Sequence, residues 1–362
     1  MAYNWQHPDW PDFRYDLEGA LRQNEQYAAG LDALLERYDA LPINDRQAAA
    51  LERAVEEGYA TASIEGEVYS RDALRSSLLN HAVLGTPAAP VIDRRANATA
   101  ELLRVSLVDP TAPVTETALK YWHETLFRRL PYPGTAGTYR SGTQAMQIVG
   151  GSAYAPTVYF EAPPAREVPD MMETFVAGLA SDLPPSLHAA IAHVHFESIH
   201  PFSDGNGRIG RALIDYQLAA PFGRRLPLSV SSAFLRHRSD YYAALRGSQS
   251  SLDITPFVAF FYKCLLAAVD DGRAAIEHLL RKRDYFRRFG DERLTPRQRK
   301  ALLKMWDAGP AGFTGGMSTR KYVRITGASA ATAQRDLTQL HAVGALVQEG
   351  RGRSTRYVLP PP

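Results

Sequence analysis

The sequence predicts a mainly α-helical protein: a helical body interrupted once by a small β-hairpin, a helical region ahead of it, and a winged helix at the C-terminal end. Three observations predict this. Apolar residues recur at helical spacing in long runs that open at capping residues and close at glycines. Glycines and β-formers gather in one internal stretch, residues 134–161. From Leu294 onward, three helical runs precede two β-prone segments around Gly350-Arg-Gly352, the order of a winged helix-turn-helix.

Taken in order, the opening carries Trp5, Trp10, Phe13 and Tyr15 around Pro8 and Pro11 and reads as an extended segment lying on a helical body. Helices are expected over Leu17–Leu41, over Asp45–Gly66 with Asn44 as cap and Gly66 as stop, and over Ser70–Leu84, closed by Gly85. Thr86–Pro90 reads as a loop, followed by helices over Asn97–Leu107 and Thr115–Arg129. The hairpin strands fall at Met146–Val149 and Thr157–Phe160. Helices resume at Val168–Leu179, Pro185–Ile199, Gly207–Ala220, Ser239–Gly247 and Pro256–Phe289. In the tail, Thr295–Ala308, Ser318–Thr326 and Ser329–Val343 are helical, and Ala345–Gln348 and Thr355–Val358 are strands. The expected domains are residues 1–95, 96–290 and 291–362, with the last boundary near Gly290.

Composition narrows the class. A chain of 362 residues with 45% hydrophobic and 22% charged residues suits a globular protein of two or three domains. The longest apolar run is roughly a dozen residues, too short to cross a bilayer, so no membrane partner is expected. Cys264 is the single cysteine, sits in an apolar run and permits no internal disulfide. The first residues lack a basic and apolar leader, and a cytoplasmic location is expected. Charge is unevenly spread. Residues 281–362 carry 17 Lys/Arg against 6 Asp/Glu, while the rest carries 24 against 33. Such asymmetry often marks a nucleic-acid-binding tail.

The chemistry concentrates in His200-Pro-Phe-Ser-Asp-Gly-Asn-Gly-Arg-Ile-Gly-Arg211. His200 is able to take a proton from a hydroxyl near neutral pH. Asp204 offers oxygen to a hard cation such as Mg²⁺. Gly205-Asn206-Gly207 permits a tight turn whose amides converge on an anion. Arg208 and Arg211, three apart on a helix, point toward one region. Helix N-terminus, amides, guanidiniums and cation together describe a polyphosphate site with a base beside it.

This string resembles the Fic (filamentation induced by cAMP) family signature, HxFx[D/E]GNGRxxR, at every specified position, Phe202 included. The resemblance implies a Fic-type helical core that transfers AMP from ATP to a Tyr, Ser or Thr hydroxyl of a protein target, itself included. It implies His200 as base, Asp204 as holder of Mg²⁺, and Gly205, Asn206, Gly207, Arg208 and Arg211 as ATP- and phosphate-binding residues. The resemblance extends to Gly137-Thr-Tyr-Arg140, the hairpin and the N-terminal segment, roughly residues 3–290. The hairpin aligns with the family's flap, where Ile148 and Val149 would cover a target segment added as a strand; on residues alone it also reads as a simple closure of the fold.

Thr61-Ala-Ser-Ile-Glu65-Gly66 taken alone is an ordinary helix end, with Gly66 as cap. A glutamate there opposes the helix dipole, which hints at a partner elsewhere. Beside the signature, Thr61, Glu65 and Gly66 resemble the family's inhibitory motif, [S/T]xxxE[G/N], in the class with an N-terminal inhibitory helix. The implied action is that Glu65 pairs with Arg211 and occupies the place of the ATP γ-phosphate.

His193 and His195 form an H-x-H pair, weak support for a metal site because only His193 and Glu197 share a helix face. In the tail, Gln334, Arg335, Thr338, Arg351, Arg353 and Arg356 suit contacts to duplex DNA, and winged helices equally mediate protein contacts such as homodimerisation. Three readings thus stand: an autoinhibited adenylyltransferase, an enzyme that removes AMP with the same site, and a DNA-binding regulator with a nucleotide-sensing core.

Overall fold

Side-chain caps set many of the helix starts. A computed structural model of the protein describes residues 3–82, 93–132, 134–152, 155–289 and 294–361. Two compact units result, Met1–Gly272 and Arg273–Pro362. In the first, Asp16 accepts from Gly19 N and opens α1 (Leu17–Asp39). Helix α2 (Ile43–Ile64) starts two residues before its expected start: Pro42 is the flanking residue and Asn44 lies in the first turn. Helix α3 spans Arg71–Ala82. Asp93 caps α4 (Arg94–Val105) and Thr115 caps α5 (Glu116–Phe127). The expected Thr86–Pro90 loop and the boundary at Gly290 lie outside the described residues.

The hairpin consists of β1 (Gln147–Ser152) and β2 (Ala155–Glu161), antiparallel, with Ile148 opposite Phe160 and Val149 opposite Val158. The register shifts between Ile148 and Val149, a bulge of the kind that bends a two-stranded ribbon. After it come α6 (Val168–Ala177), α7 (Pro185–Ile199), α8 (Asn206–Ala219), α9 (Val230–Arg236), α10 (Arg238–Gln249) and α11 (Thr255–Phe289). Helix α9 has no counterpart in the expected pattern. It is short, and its start depends on a distant group: buried Glu57 of α2 accepts from Ser229 Oγ and Ser231 N. The mainly α class holds, with two two-stranded sheets among the described residues.

The first unit's core lies around α7 and α8. Trp122, Leu126 and Phe127 of α5, Phe175 of α6, Phe196 and Ile199 of α7, Phe202, and Ile209 and Leu213 of α8 form one buried cluster. Its burial fixes the two helices that flank the His200–Arg211 string, and α2 packs against α8 from the other side. A second cluster, Val55, Tyr69, Leu74 and Ala96 among its members, joins α2, α3 and α4.

In the second unit, Thr295, Ser318 and Ser329 cap α12 (Pro296–Trp306), α13 (Thr319–Thr326) and α14 (Ala330–Ala342). An antiparallel pair follows, β3 (Val347–Glu349) and β4 (Arg356–Val358), and Met317 bridges to Tyr357. Leu302, Met305, Trp306, Tyr322, Leu337, Leu340 and Tyr357 form this unit's own core. Among the described residues, no helix is long and apolar enough to cross a membrane.

Candidate active site

Pro201 ends α7. The residue before a proline is disfavoured in the right-handed helical region, and His200 turns to φ 51°, ψ 59°. It is the only non-glycine with positive φ among the described residues. That geometry costs on the order of 1–3 kcal/mol and is held by its surroundings. Buried Arg140 supplies the hold: Nε donates to the His200 carbonyl at 2.8 Å, and Nη2 donates to Pro163 O at 2.6 Å and Ile199 O at 3.2 Å. The imidazole is buried, and its pKa falls to about 4, because burial and then the Arg140 charge disfavour protonation. His200 is therefore neutral at pH 7 and able to accept a proton.

Between His200 and α8 the loop is stapled by Asn206. Its Oδ1 accepts from Phe202 N at 2.9 Å, and its Nδ2 donates to Phe202 O at 2.8 Å. Both ends of that side chain thus bond within the loop, and its backbone amide lies in the helix's first turn, where N–H groups lack intrahelical partners. Gly205 has φ 84°, and a Cβ there would lie 2.6 Å from Phe127, so two constraints select glycine. His123 of α5 stacks on Phe202 with centroids 4.0 Å apart, accepts from Gly137 N, and lies 3.2 Å from the Asp204 carbonyl. Burial lowers its pKa to about 4, so this ring is a neutral strut. Composition around the motif did not point to it.

The end of α2 meets the start of α8. Gly66 N donates to Ser63 O and Glu67 N to Ala62 O, with Gly66 at φ 79°: a Schellman closure that turns Glu65 toward α8. Arg211 Nη2 donates to Glu65 Oε1 at 2.7 Å and to the Thr61 carbonyl at 3.0 Å, and Nε donates to Thr61 Oγ1 at 2.7 Å. The partner that the dipole argument asked for is Arg211. Burial alone would raise the Glu65 pKa, but the Arg211 charge and hydrogen bond, with Arg208 and His200, bring it below the ordinary value. A Cβ on Gly207 would sit 2.2 Å from Glu65 Oε1, so a bare glycine admits the carboxylate to the helix start. Tyr242 OH donates to Ile64 O at 3.0 Å and adds a tie from α10.

Arg208 has its own carboxylate. Its Nη1 donates to Glu67 Oε1 at 2.7 Å, and Nη2 lies 3.4 Å from Asp204 Oδ1. Nothing local in the sequence pairs residues 141 apart. Asp204 is the exposed acid of the site, its side chain 55% accessible. A single exposed carboxylate beside a helix N-terminus fits Mg²⁺, which takes one or two carboxylates and completes its shell with phosphate and water. Among the described residues no cluster of three or more acids, histidines or cysteines could hold a metal, which leaves the H-x-H metal reading without support. His193 instead bonds Tyr241 OH at 2.8 Å, and His195 packs edge-on to Trp10, Phe13 and Phe175. Glu197 Oε2 lies 3.8 Å from His200 Nδ1, and burial raises the Glu197 pKa to about 8.

On the hairpin, Val149, Val158 and Tyr159 are exposed and Ile148 is half-buried. The pair is two-stranded; β2 packs against α10, and its last carbonyl, Glu161 O, accepts from Trp5 Nε1 at 2.7 Å.

Comparison with known proteins identifies the region around this site. Residues 113–218 match the Fic/DOC family model. That range holds the whole His200–Arg211 string. Residues 3–84 match a domain of unknown function, DUF4172. A protein adenylyltransferase Fic of Nematostella vectensis is 33% identical over 144 residues, 38% of this chain and 30% of that protein. The protein adenylyltransferase fic-1 of Caenorhabditis elegans is 31% identical over 121 residues, 33% of this chain and 22% of that protein. The matched regions thus span about a third or less of these relatives' own lengths. Among solved structures, a Fic family protein from Desulfovibrio desulfuricans aligns over 97% of this chain and 98% of its own, with TM-score 0.56 and 23% identity. The C. elegans Fic-1 structure covers 72% of this chain and 74% of its own at TM-score 0.53 and 21% identity. These likenesses establish a shared fold. The two glutamates on Arg208 and Arg211 lie upstream of the Fic domain's matched range.

Proposed function

We propose that the chain is a protein adenylyltransferase whose resting state is inhibited by the end of α2. The observation that carries this is the Glu65–Arg211 pair, 2.7 Å, at the N-terminus of α8, directly after the neutral His200. An ATP molecule on that helix start would present its α-phosphorus to an incoming Tyr, Ser or Thr hydroxyl. His200 takes the hydroxyl proton as the oxygen bonds to phosphorus, and the bond to the pyrophosphate oxygen breaks. The products are a protein-bound AMP ester and pyrophosphate. The amides of Asn206 and Gly207 stabilise developing charge on the α-phosphate, joined by that of Gly205 once Asp204 Oδ1, which accepts from it at 2.6 Å, turns to the cation. Arg208 and Arg211 receive the β/γ end once their carboxylates withdraw. Asp204 would hold Mg²⁺, which neutralises phosphate charge when bound. Ile148 and Val149 cover the acceptor segment, laid along the hairpin edge.

With Glu65 on Arg211, the γ-phosphate lacks its guanidinium and the α-phosphate is turned from in-line attack; such misplacement costs orders of magnitude in phosphoryl transfer. The test is incubation of the protein and its Glu65→Gly variant with α-labelled ATP in cell extract. Labelling of protein should rise at least roughly tenfold, about 1.4 kcal/mol of barrier. Equal labelling would overturn the inhibitory role. No label from either, with loss of AMP from a pre-modified protein, would favour hydrolytic removal of AMP by the same site.

For the second unit we propose duplex DNA as partner. Its support is the positive excess of residues 281–362 together with the exposed Gln334, Arg335 and Thr338 on α14. Label on protein separates the transferase from a regulator that only senses nucleotide.

A further inference from the structure

We infer that Arg140 is the positioning residue for the base: one guanidinium holds His200 in its left-handed conformation and ties it to the root of the hairpin that would present the acceptor. The inference rests on the functional reading above. Arg140 is 7% exposed, and its side-chain donors face carbonyl oxygens of His200, Ile199 and Pro163. Its own N–H donates to Pro201 O at 2.9 Å. Among the described residues it has no carboxylate partner, so a buried cation is compensated by carbonyl dipoles alone. Two of those carbonyls end α7, where orphan C=O groups and the negative end of the helix dipole favour a cation.

The placement joins two parts of the site. Arg140 precedes β1 and Pro163 follows β2, so the contact to Pro163 O closes the hairpin's base while the contact to His200 O fixes the turn. A side chain with one donor cannot serve all these acceptors, whereas the guanidinium fork can. A second effect is electrostatic. The groups facing His200 are Arg140 from the turn before β1, Glu197 from α7 and Glu65 from the end of α2. Arg140 opposes protonation of the ring, and the segment of Glu197 and the charge of Glu65 favour it. Removing the positive charge therefore raises the pH at which the ring titrates.

The experiment compares Arg140→Lys and Arg140→Met in the full chain carrying Glu65→Gly. The readouts are transfer from α-labelled ATP between about pH 3 and 8, a window that includes the His200 pKa of about 4, KM for ATP, and titration of the His200 ring by ¹³C NMR. The Met variant should lose roughly a hundredfold in kcat, the scale of an ångström misplacement, with KM for ATP little changed. Its acid limb and the ring titration should both move to higher pH. The Lys variant keeps the charge and loses the fork, so kcat should fall with the acid limb unmoved. Parental kcat in either variant, or an equal loss of ATP binding, overturns the inference. If the Met variant does not fold, the Lys variant decides alone by the same kcat criterion. If the Glu65→Gly parent transfers nothing, the functional reading fails; the NMR titration still decides, because an unmoved His200 ring in the Met variant overturns the inference without any turnover.

Discussion

At the residue scale, His200 joins a backbone that most side chains avoid to a ring that stays neutral. Pro201 ends the helix and the carbonyl contacts of Arg140 hold the first; the second follows from burial. A base for a hydroxyl must be unprotonated, and a pKa of about 4 keeps this one so through the physiological range. His200→Ala should abolish transfer while ATP affinity stays within a few-fold, because in the proposed reaction the ring acts on the acceptor and the phosphates rest on α8. Calorimetry checks it: loss of ATP binding along with transfer would make His200 structural. The residue types at this site were legible because spacing and signature coincide in one string. The supporting contacts were not. His123 and Arg140 reach the string from other elements, and Asn206 turned out to hold the loop with both ends of its side chain. A string reports which groups are present, while the direction of an amide side chain is decided by the loop it closes.

At the element scale, the proposed inhibition depends on how one helix ends. Helix α2 closes in a Schellman turn whose positive-φ residue is Gly66, and this closure sends Glu65 to Arg211 and Glu67 to Arg208. An alanine at Gly66 would meet nothing within 4 Å, so its cost is conformational, about 1–2 kcal/mol for an L residue in the left-handed region. Gly66→Ala should therefore loosen the closure and raise protein labelling, though less than Glu65→Gly, since the carboxylate remains. A parallel thermal melt and labelling assay measures both; lowered stability with wild-type labelling would separate the cap from inhibition. The helix end and its glycine were legible as a stop signal. The start of α2 was not, because Asn44 is a stronger capping type than Pro42, yet the chain enters the helix from proline, whose fixed φ suits a helix entry. Helix α9 escaped notice for a related reason: seven residues give little periodicity, and the carboxylate on its first turn belongs to α2.

At the scale of the whole molecule, the sequence changes character where the second unit's own core begins, and the net-acidic residues 1–280 give way to the net-basic residues 281–362 close to the same place. The order of three helices and a hairpin in that unit was legible because each start carries a capping Thr or Ser and each turn a glycine. Which face binds what was not legible, since charge count ignores pairing: Arg356 proves to donate to Glu349 across the hairpin, while Arg351 is exposed. On α14, Ala333, Leu337 and Leu340 are buried, leaving Gln334, Arg335 and Thr338 outward. If this unit binds duplex DNA, contacts from several arginines to phosphate should make affinity fall steeply with salt, with a log–log slope of about −0.9 per phosphate contact. Replacing Arg351 and Arg353 by Ala should weaken binding to all sequences alike and flatten that slope by roughly two units, because phosphate contacts carry no base information. Fluorescence anisotropy of the full chain against duplex DNA at two salt concentrations measures this. Absence of binding at low salt would assign the outward face of α14 to a protein partner or a second copy of the chain, and an unchanged slope in the double variant would move the phosphate contacts away from the hairpin.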